Sequence, residues 1–134
     1  MEKRQRDLAA YRLDKAKDDL ETAEINLTNN KFAQSINRSY YSIFHALRAL
    51  LALDTFDSKK HTGVISFFNQ HYIKTGKIEP EYSRIIANAF DIRKDSDYND
   101  FFVASHEDAR IQLENAKKLL TRIEKLINTV LIET

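Results

Sequence analysis

Residues Gln34–Leu53, QSINRSYYSIFHALRALLAL, decide the fold. The stretch holds no Gly or Pro, and Ile36, Tyr40, Ile43, Phe44, Leu47 and Leu51 recur at three- and four-residue steps, the period of one helical face. A second flank carries Ser39, Ser42, Ala46, Ala49, Leu50 and Leu53, all small or apolar. A helix apolar over most of its circumference belongs at the centre of a bundle. The strip that remains is polar: Arg38, Tyr41, His45 and Arg48, at steps of three, four and three, opposite the main stripe. A central helix that keeps such a strip either closes a polar cleft or faces a partner chain.

The 134 residues suit a single domain, in which roughly two thirds of the unfolded chain's surface is buried without staples. Two Gly, one Pro and abundant Leu, Ala, Lys, Glu and Arg favour helices over a sheet. With no cysteine, disulfide and thiolate chemistry are excluded, and a cytoplasmic setting is expected. The opening MEKRQRDLAAYRLDKAKDDLE is too charged for a signal peptide, and no apolar run reaches membrane length. The 21 basic and 20 acidic residues leave a net charge of +1, so RNA binding would require a local basic patch. There is no HExxH pair, glycine-rich phosphate loop or zinc-spaced Cys/His set; no metal or cofactor is expected.

Outward from the central stretch, Leu8 to Thr28 reads as a helix with Ala9, Leu13, Ala16, Leu20, Ala23 and Leu27 on one seam. Asp7, Lys15, Lys17, Asp18, Asp19, Glu21 and Glu24 read as its solvated face, and Asn29-Asn30 as its end. After Leu53 comes a polar linker, DTFDSKK, with Phe56 as anchor. Ser58 is the expected cap of a third helix that ends at Lys74-Thr75-Gly76. His61 and His71, ten residues apart, read as surface or capping histidines. Pro80 opens a fourth helix through Tyr82, Ile86 and Phe90 to about Lys94, followed by the turn-forming cluster Asp95–Asp100. Ser105 and Asp108 form a capping box for the last helix, whose seam runs from Ala109 to Val130. The expectation is an all-α, up-and-down helical bundle of about five helices, three long and two shorter.

Two constellations carry chemistry. One is the Arg38/Tyr41/His45/Arg48 strip; the other is Arg93-Lys94-Asp95-Ser96-Asp97-Tyr98. Arginine stays charged on burial, so each buried one needs an acid or an anionic ligand. Asp97 lies four residues after Arg93 and can pair with it if the helix continues. The alternatives are internal ion pairs beside a turn, or an anion site for phosphate or an RNA backbone. In the second case Arg is the ligand, and His45 and Tyr98 are the groups able to move protons.

NRSYYSIFHALRALL, KKHTGVISFFNQHYIKTG and AFDIRKDSDYNDF resemble, in this order, blocks of the HEPN superfamily, and in particular its small stand-alone bacterial and archaeal members. The resemblance implies an all-helical bundle, a homodimer, and a groove for RNA or nucleotide. It also implies one of two roles: a metal-independent endoribonuclease, or a partner of a minimal nucleotidyltransferase in a toxin–antitoxin or defence pair. A purely structural dimerisation bundle is a third reading. The ribonuclease signature in such proteins is Arg, four to six residues, then His. Arg93 matches the arginine, but Tyr98, Asn99 and Asp100 stand where the histidine is permitted. A tyrosine, with a reference pKa near ~10, is a poor general base at neutral pH. The candidate catalytic set is therefore Arg93, Asp97, Tyr98 and His45, with His45 supplying the imidazole if the strip faces Arg93. Arg38, Tyr41, Arg48 and Lys94 are the candidate binding residues. In related pairs a tyrosine near the signature receives a nucleotide, and Tyr98 is the matching candidate by proximity.

Overall fold

The computed structural model describes residues 2–133. Five helices follow in order: α1 (Lys3–Thr28), α2 (Phe32–Ala52), α3 (His61–Phe68), α4 (Glu81–Tyr98) and α5 (His106–Glu133). A π-helical turn, Asn69–Ile73, extends α3. No strand occurs among the described residues, so the all-α bundle read from the sequence is the architecture.

Side-chain contacts fix the helix directions. Ser35 and Ser42 of α2 donate to the carbonyls of Ala23 and Ala16 at 2.8 and 2.7 Å, so α1 and α2 are antiparallel. Those hydroxyls reach because the facing positions are small: Ala9, Ala16, Ala23, Ser35, Ser39 and Ser42 are all buried. Pairs Lys17–Glu124 and Lys117–Glu24 set α5 antiparallel to α1. Gln112–Asn88 and Lys118–Glu81 do the same for α4 and α5. The four long helices therefore alternate. The short α3 departs from that rule: His61 meets Tyr40 and Tyr72 meets Asp54, so it runs in the direction of α2.

For α3 to run that way, the linker between Leu53 and Lys60 has to travel back along α1 and α2 as a strap. Gln5 holds it at Leu53 and Thr55, and Asp57 ties it to Arg12 and Arg48. Phe56 anchors it by stacking on Phe67 at 4.0 Å. The core follows the expected stripe, with Ile36, Tyr40, Ile43, Phe44, Leu47 and Leu51 all buried. The α1 and α5 seams close over it, Leu20 and Val130 being partly buried at its margin.

Asn30 and Gly76 take the left-handed conformations that end their helices, with φ of 60° and 78°. Ser105 and Asp108 form the reciprocal capping box. Two boundaries differ from the sequence reading. Ser58 bonds the Lys60 N–H at 3.1 Å, and the helix starts at His61. A Cβ at Gly63 would fall 2.8 Å from Ser58 Oγ, so glycine lets the strap lie against the first turn of α3. The larger difference is in α4, which runs through Tyr98 instead of stopping near Lys94. Four helices are long, not three. The propensity penalty of Asp and Ser is only about 0.5 kcal/mol per residue, and the tertiary contacts of Asp97 described below oppose it.

No helix among the described residues is long and apolar enough to cross a membrane.

Candidate anion-binding site

The polar strip of α2 does not act as one surface. Arg38 and His45 converge on Asp19 of α1, at 3.1 and 3.5 Å. Asp19, read from sequence as part of a solvated face, has only 13% of its side chain exposed. Burial raises its carboxyl pKa in spite of Arg38. Burial also lowers His45 to about 4, reinforced by the charges of Lys15, Arg48, Arg38 and Arg12. These effects outweigh the nearby Asp19 carboxylate, and His45 is neutral at neutral pH. Arg48 meets both carboxylate oxygens of Asp57 at 2.9 and 3.1 Å, and Arg12 joins it at 3.0 Å. Although burial opposes it, hydrogen bonds from Arg48 and Arg12 hold the Asp57 carboxyl below its usual range.

Arg93 sits differently. It is 7% exposed, yet its carboxylate partner, Asp97, is 3.5 Å away. Asp97 is shared, because Asn37 donates to it at 3.3 Å while accepting from Arg38 at 2.7 Å. A polar chain thus runs from Arg93 through Asp97, Asn37 and Arg38 to Asp19. The guanidinium carbon lies 4.7 Å from the Tyr40 ring centre, and Tyr41, Phe90 and Tyr98 are within 6.0 Å. Aromatic faces stabilise a desolvated cation, and the Tyr40 hydroxyl accepts from the guanidinium. Arg93 Nε is buried and has no hydrogen-bond partner among the described residues.

Above this arginine opens a groove of about 460 Å³. Lys59, Lys60, Arg93 and Lys94 line it, with Tyr41, Phe90 and Tyr98 between them and no acidic residue in the lining. Lys94 Nζ lies 5.3 Å from the Phe90 ring centre, and Tyr98, at the rim, is 74% exposed. Of the sequence candidates, Arg93, Lys94, Tyr98 and Tyr41 meet here and Asp97 supports Arg93. Arg38, Arg48 and His45 face α1 and the strap instead.

The imidazole in the groove is His61, read from sequence as a surface or capping residue. It stacks on Phe44 at 4.1 Å, and its Nδ1 lies 2.6 Å from Tyr40 Oη. Burial pushes the Tyr40 phenol up to about 12. His61 is lowered by burial and then by the charges of Arg93 and Arg48. At neutral pH the phenol therefore keeps its proton and the imidazole is neutral, so the contact is a hydrogen bond between two neutral groups whose direction follows the ring tautomer. Lys59, Lys60 and His61 were within reach of the sequence reading, because KKH sits inside one of the blocks that carry the resemblance. What hid them was the return of the strap, which brings residue 61 beside residue 40. Among the described residues, no group of three or more His, Asp or Glu side chains could hold a metal ion.

Fold and site together define an all-helical bundle with an aromatic-walled cationic groove at the end of its fourth helix. The chain belongs to the HEPN family, whose domain matches residues 9–126. A "UPF0332 protein" of Thermotoga maritima is 33% identical over 84% of this chain and 86% of its own length. "Putative toxin MJ0605" of Methanocaldococcus jannaschii is 33% identical over 87% of this chain and 86% of its own. A second protein of that archaeon, "Putative toxin MJ0142", is 32% identical over 86% of this chain and 78% of its own.

Proposed function

We propose that this HEPN protein is the toxin-like member of a toxin–antitoxin or defence pair and binds RNA or nucleotide phosphate in the Arg93 groove. The observation that carries this reading is the state of Arg93: buried, weakly paired, with an unused Nε, in a groove lined by three lysines and no acid. A phosphate oxygen is the partner such an arginine lacks. The toxin names of two relatives agree with the reading. Fluorescence polarisation with a labelled single-stranded RNA tests it. Arg93→Ala should weaken binding by about 1.5–3 kcal/mol, the scale of a hydrogen bond to a charged group. Arg93→Lys keeps the charge but loses the planar fork, so it should restore only part. Wild-type protein that binds neither RNA nor nucleotide would overturn the proposal.

The same reading includes a twofold homodimer with its Arg93 grooves adjoining. Tyr98 in the groove and Phe101 and Val103 shortly after it in the chain are 74, 94 and 85% exposed, apolar surface suited to a second copy. A monomer by light scattering at tens of micromolar would count against it.

A second reading, a non-catalytic partner of a minimal nucleotidyltransferase, is favoured by one observation. The Tyr98 ring is exposed at the groove rim, open to nucleotide attachment. Mass spectrometry after incubation with such an enzyme and a nucleoside triphosphate distinguishes it. An RNA cleavage assay without added metal decides whether the groove also acts as an endoribonuclease.

A further inference from the structure

The groove contains more than Arg93 and its lysines. Residues Lys60, His61 and Thr62 bring the N-terminus of α3 to its wall. The first helical hydrogen bond there runs from Val64 N–H to the Lys60 carbonyl, so the preceding N–H groups are free of that ladder. Helix N-termini of this kind favour anions. The buried guanidinium of Arg93, with its unpartnered Nε, lines the same groove. So does His61. Its ring is fixed by stacking on Phe44 and by the Tyr40 hydroxyl on Nδ1. Nε2 has no hydrogen-bond partner among the described residues and is not one of the buried unpartnered atoms.

We propose that His61 is a phosphate ligand, donating its Nε2–H to the same phosphate ester that Arg93 binds, and that Tyr40 is the positioning residue that sets its tautomer. The inference rests on the proposed anion site, and it names the group that site takes. It also accounts for the departure from the Arg-x4-6-His spacing. An imidazole is supplied from α3, but Tyr40 holds it as a donor. With its proton on Nε2 it has no lone pair there to accept a proton from an attacking 2′-hydroxyl. The groove is thereby built to hold a phosphate more than to cleave beside it.

The charged and titratable groups around His61 are Tyr40, Tyr41 and Arg48 of α2, Lys59 and Lys60 of the strap, and Arg93, Lys94 and Tyr98 of α4. Burial and the charges of Arg93 and Arg48 oppose protonation of the ring, and a bound phosphate counters those charges.

Imidazole ¹⁵N NMR on the wild-type protein provides the test, with orthophosphate, adenosine 5′-monophosphate and a short single-stranded RNA titrated separately. The free protein should show His61 as the Nε2–H tautomer, and Tyr40→Phe should release it to a mixture. Saturation with phosphate should raise the His61 pKa while leaving that of His45, on the α1 side, in place. His61→Ala should weaken binding about tenfold to a hundredfold, the range for one hydrogen bond to a charged group, and His61→Gln, which keeps a donor near Nε2, should recover part of it. A response to the two small phosphates alone marks a terminal phosphate site; a response to RNA as well marks an internucleotide one. If Arg93-dependent binding persists while the His61 pKa and tautomer do not respond, the His61 inference fails and the Arg93 reading stands. If wild type binds none of the three, both fail.

Discussion

On the α1 side of α2, Arg38, Arg48 and Arg12 each meet a carboxylate at 2.9–3.1 Å. On the α4 side, Arg93 is as buried as Arg12 but has Asp97 at 3.5 Å and an Nε without a partner. Both regions were candidate sites in the sequence, each with arginine and tyrosine. Their difference lies in what the rest of the chain brings up to them. Asp19 and Asp57 neutralise the first, so its arginines hold α1, α2 and the strap together. The second receives Lys59 and Lys60 instead, which add to the positive charge of Arg93 and Lys94 in a groove with no acidic lining residue.

The comparison can be broken most severely at the helix the regions share. Leu47 is 1% exposed in the centre of α2, and Leu47→Ala should cost about 2–5 kcal/mol in denaturant unfolding. A loss below about 1 kcal/mol would mean that α2 is not the rigid partition between them. Next comes Asp57→Ala, which leaves buried Arg12 with only the Arg48 carbonyl at 3.3 Å. Because Asp57 is itself 52% exposed, the expected loss is discounted to about 1–3 kcal/mol. No change in stability would show that the α1-side pairs do not hold the strap.

A third test uses pH. His45 is lowered from 6.5 to about 4 in the folded protein, so its contribution is complete above the unfolded pKa and is lost as pH falls toward the folded one. Stability should therefore drop between about pH 6.5 and 4, by on the order of 1–3 kcal/mol. His45→Gln should flatten that part of the curve, and an unchanged slope would remove His45 as its origin. The smallest effect is expected on the other side. Arg93→Ala should change stability by less than about 1 kcal/mol, since it removes a buried, weakly paired charge together with its aromatic contacts. Unfolding on that substitution would make Arg93 a structural residue like Arg12, and the contrast between the regions would disappear.

The pattern of α2 was legible because burial follows a period, and Ile36 through Leu51 obey it. The seams of α1 and α5 were legible for the same reason, as were the end of α1 at Asn30 and the capping box at Ser105. Local chemistry failed at the end of α4. Asp95, Ser96 and Asp97 look like a turn, yet the helix continues through them, and Asp97 gains Arg93 and Asn37 as partners. It failed at Asp19 too, since a charge on a regular helix reads as solvated unless its counter-ion is known to pack against it. His61 was overlooked because its partner in space, Tyr40, belongs to a different helix and is reached only through the strap.

The sequence by itself determined that the chain is all-helical and that Gln34–Leu53 lies at the centre. Those are properties of residue spacing along one helix, and spacing is written in the chain. Only the tertiary structure decided which arginines are neutralised and which histidine enters the groove. A charge is satisfied or left over according to distances between helices, and the return of residues 53–60 along α1 and α2 set those distances. It carried Asp57 to Arg12 and Arg48, and it delivered Lys59, Lys60 and His61 to Arg93.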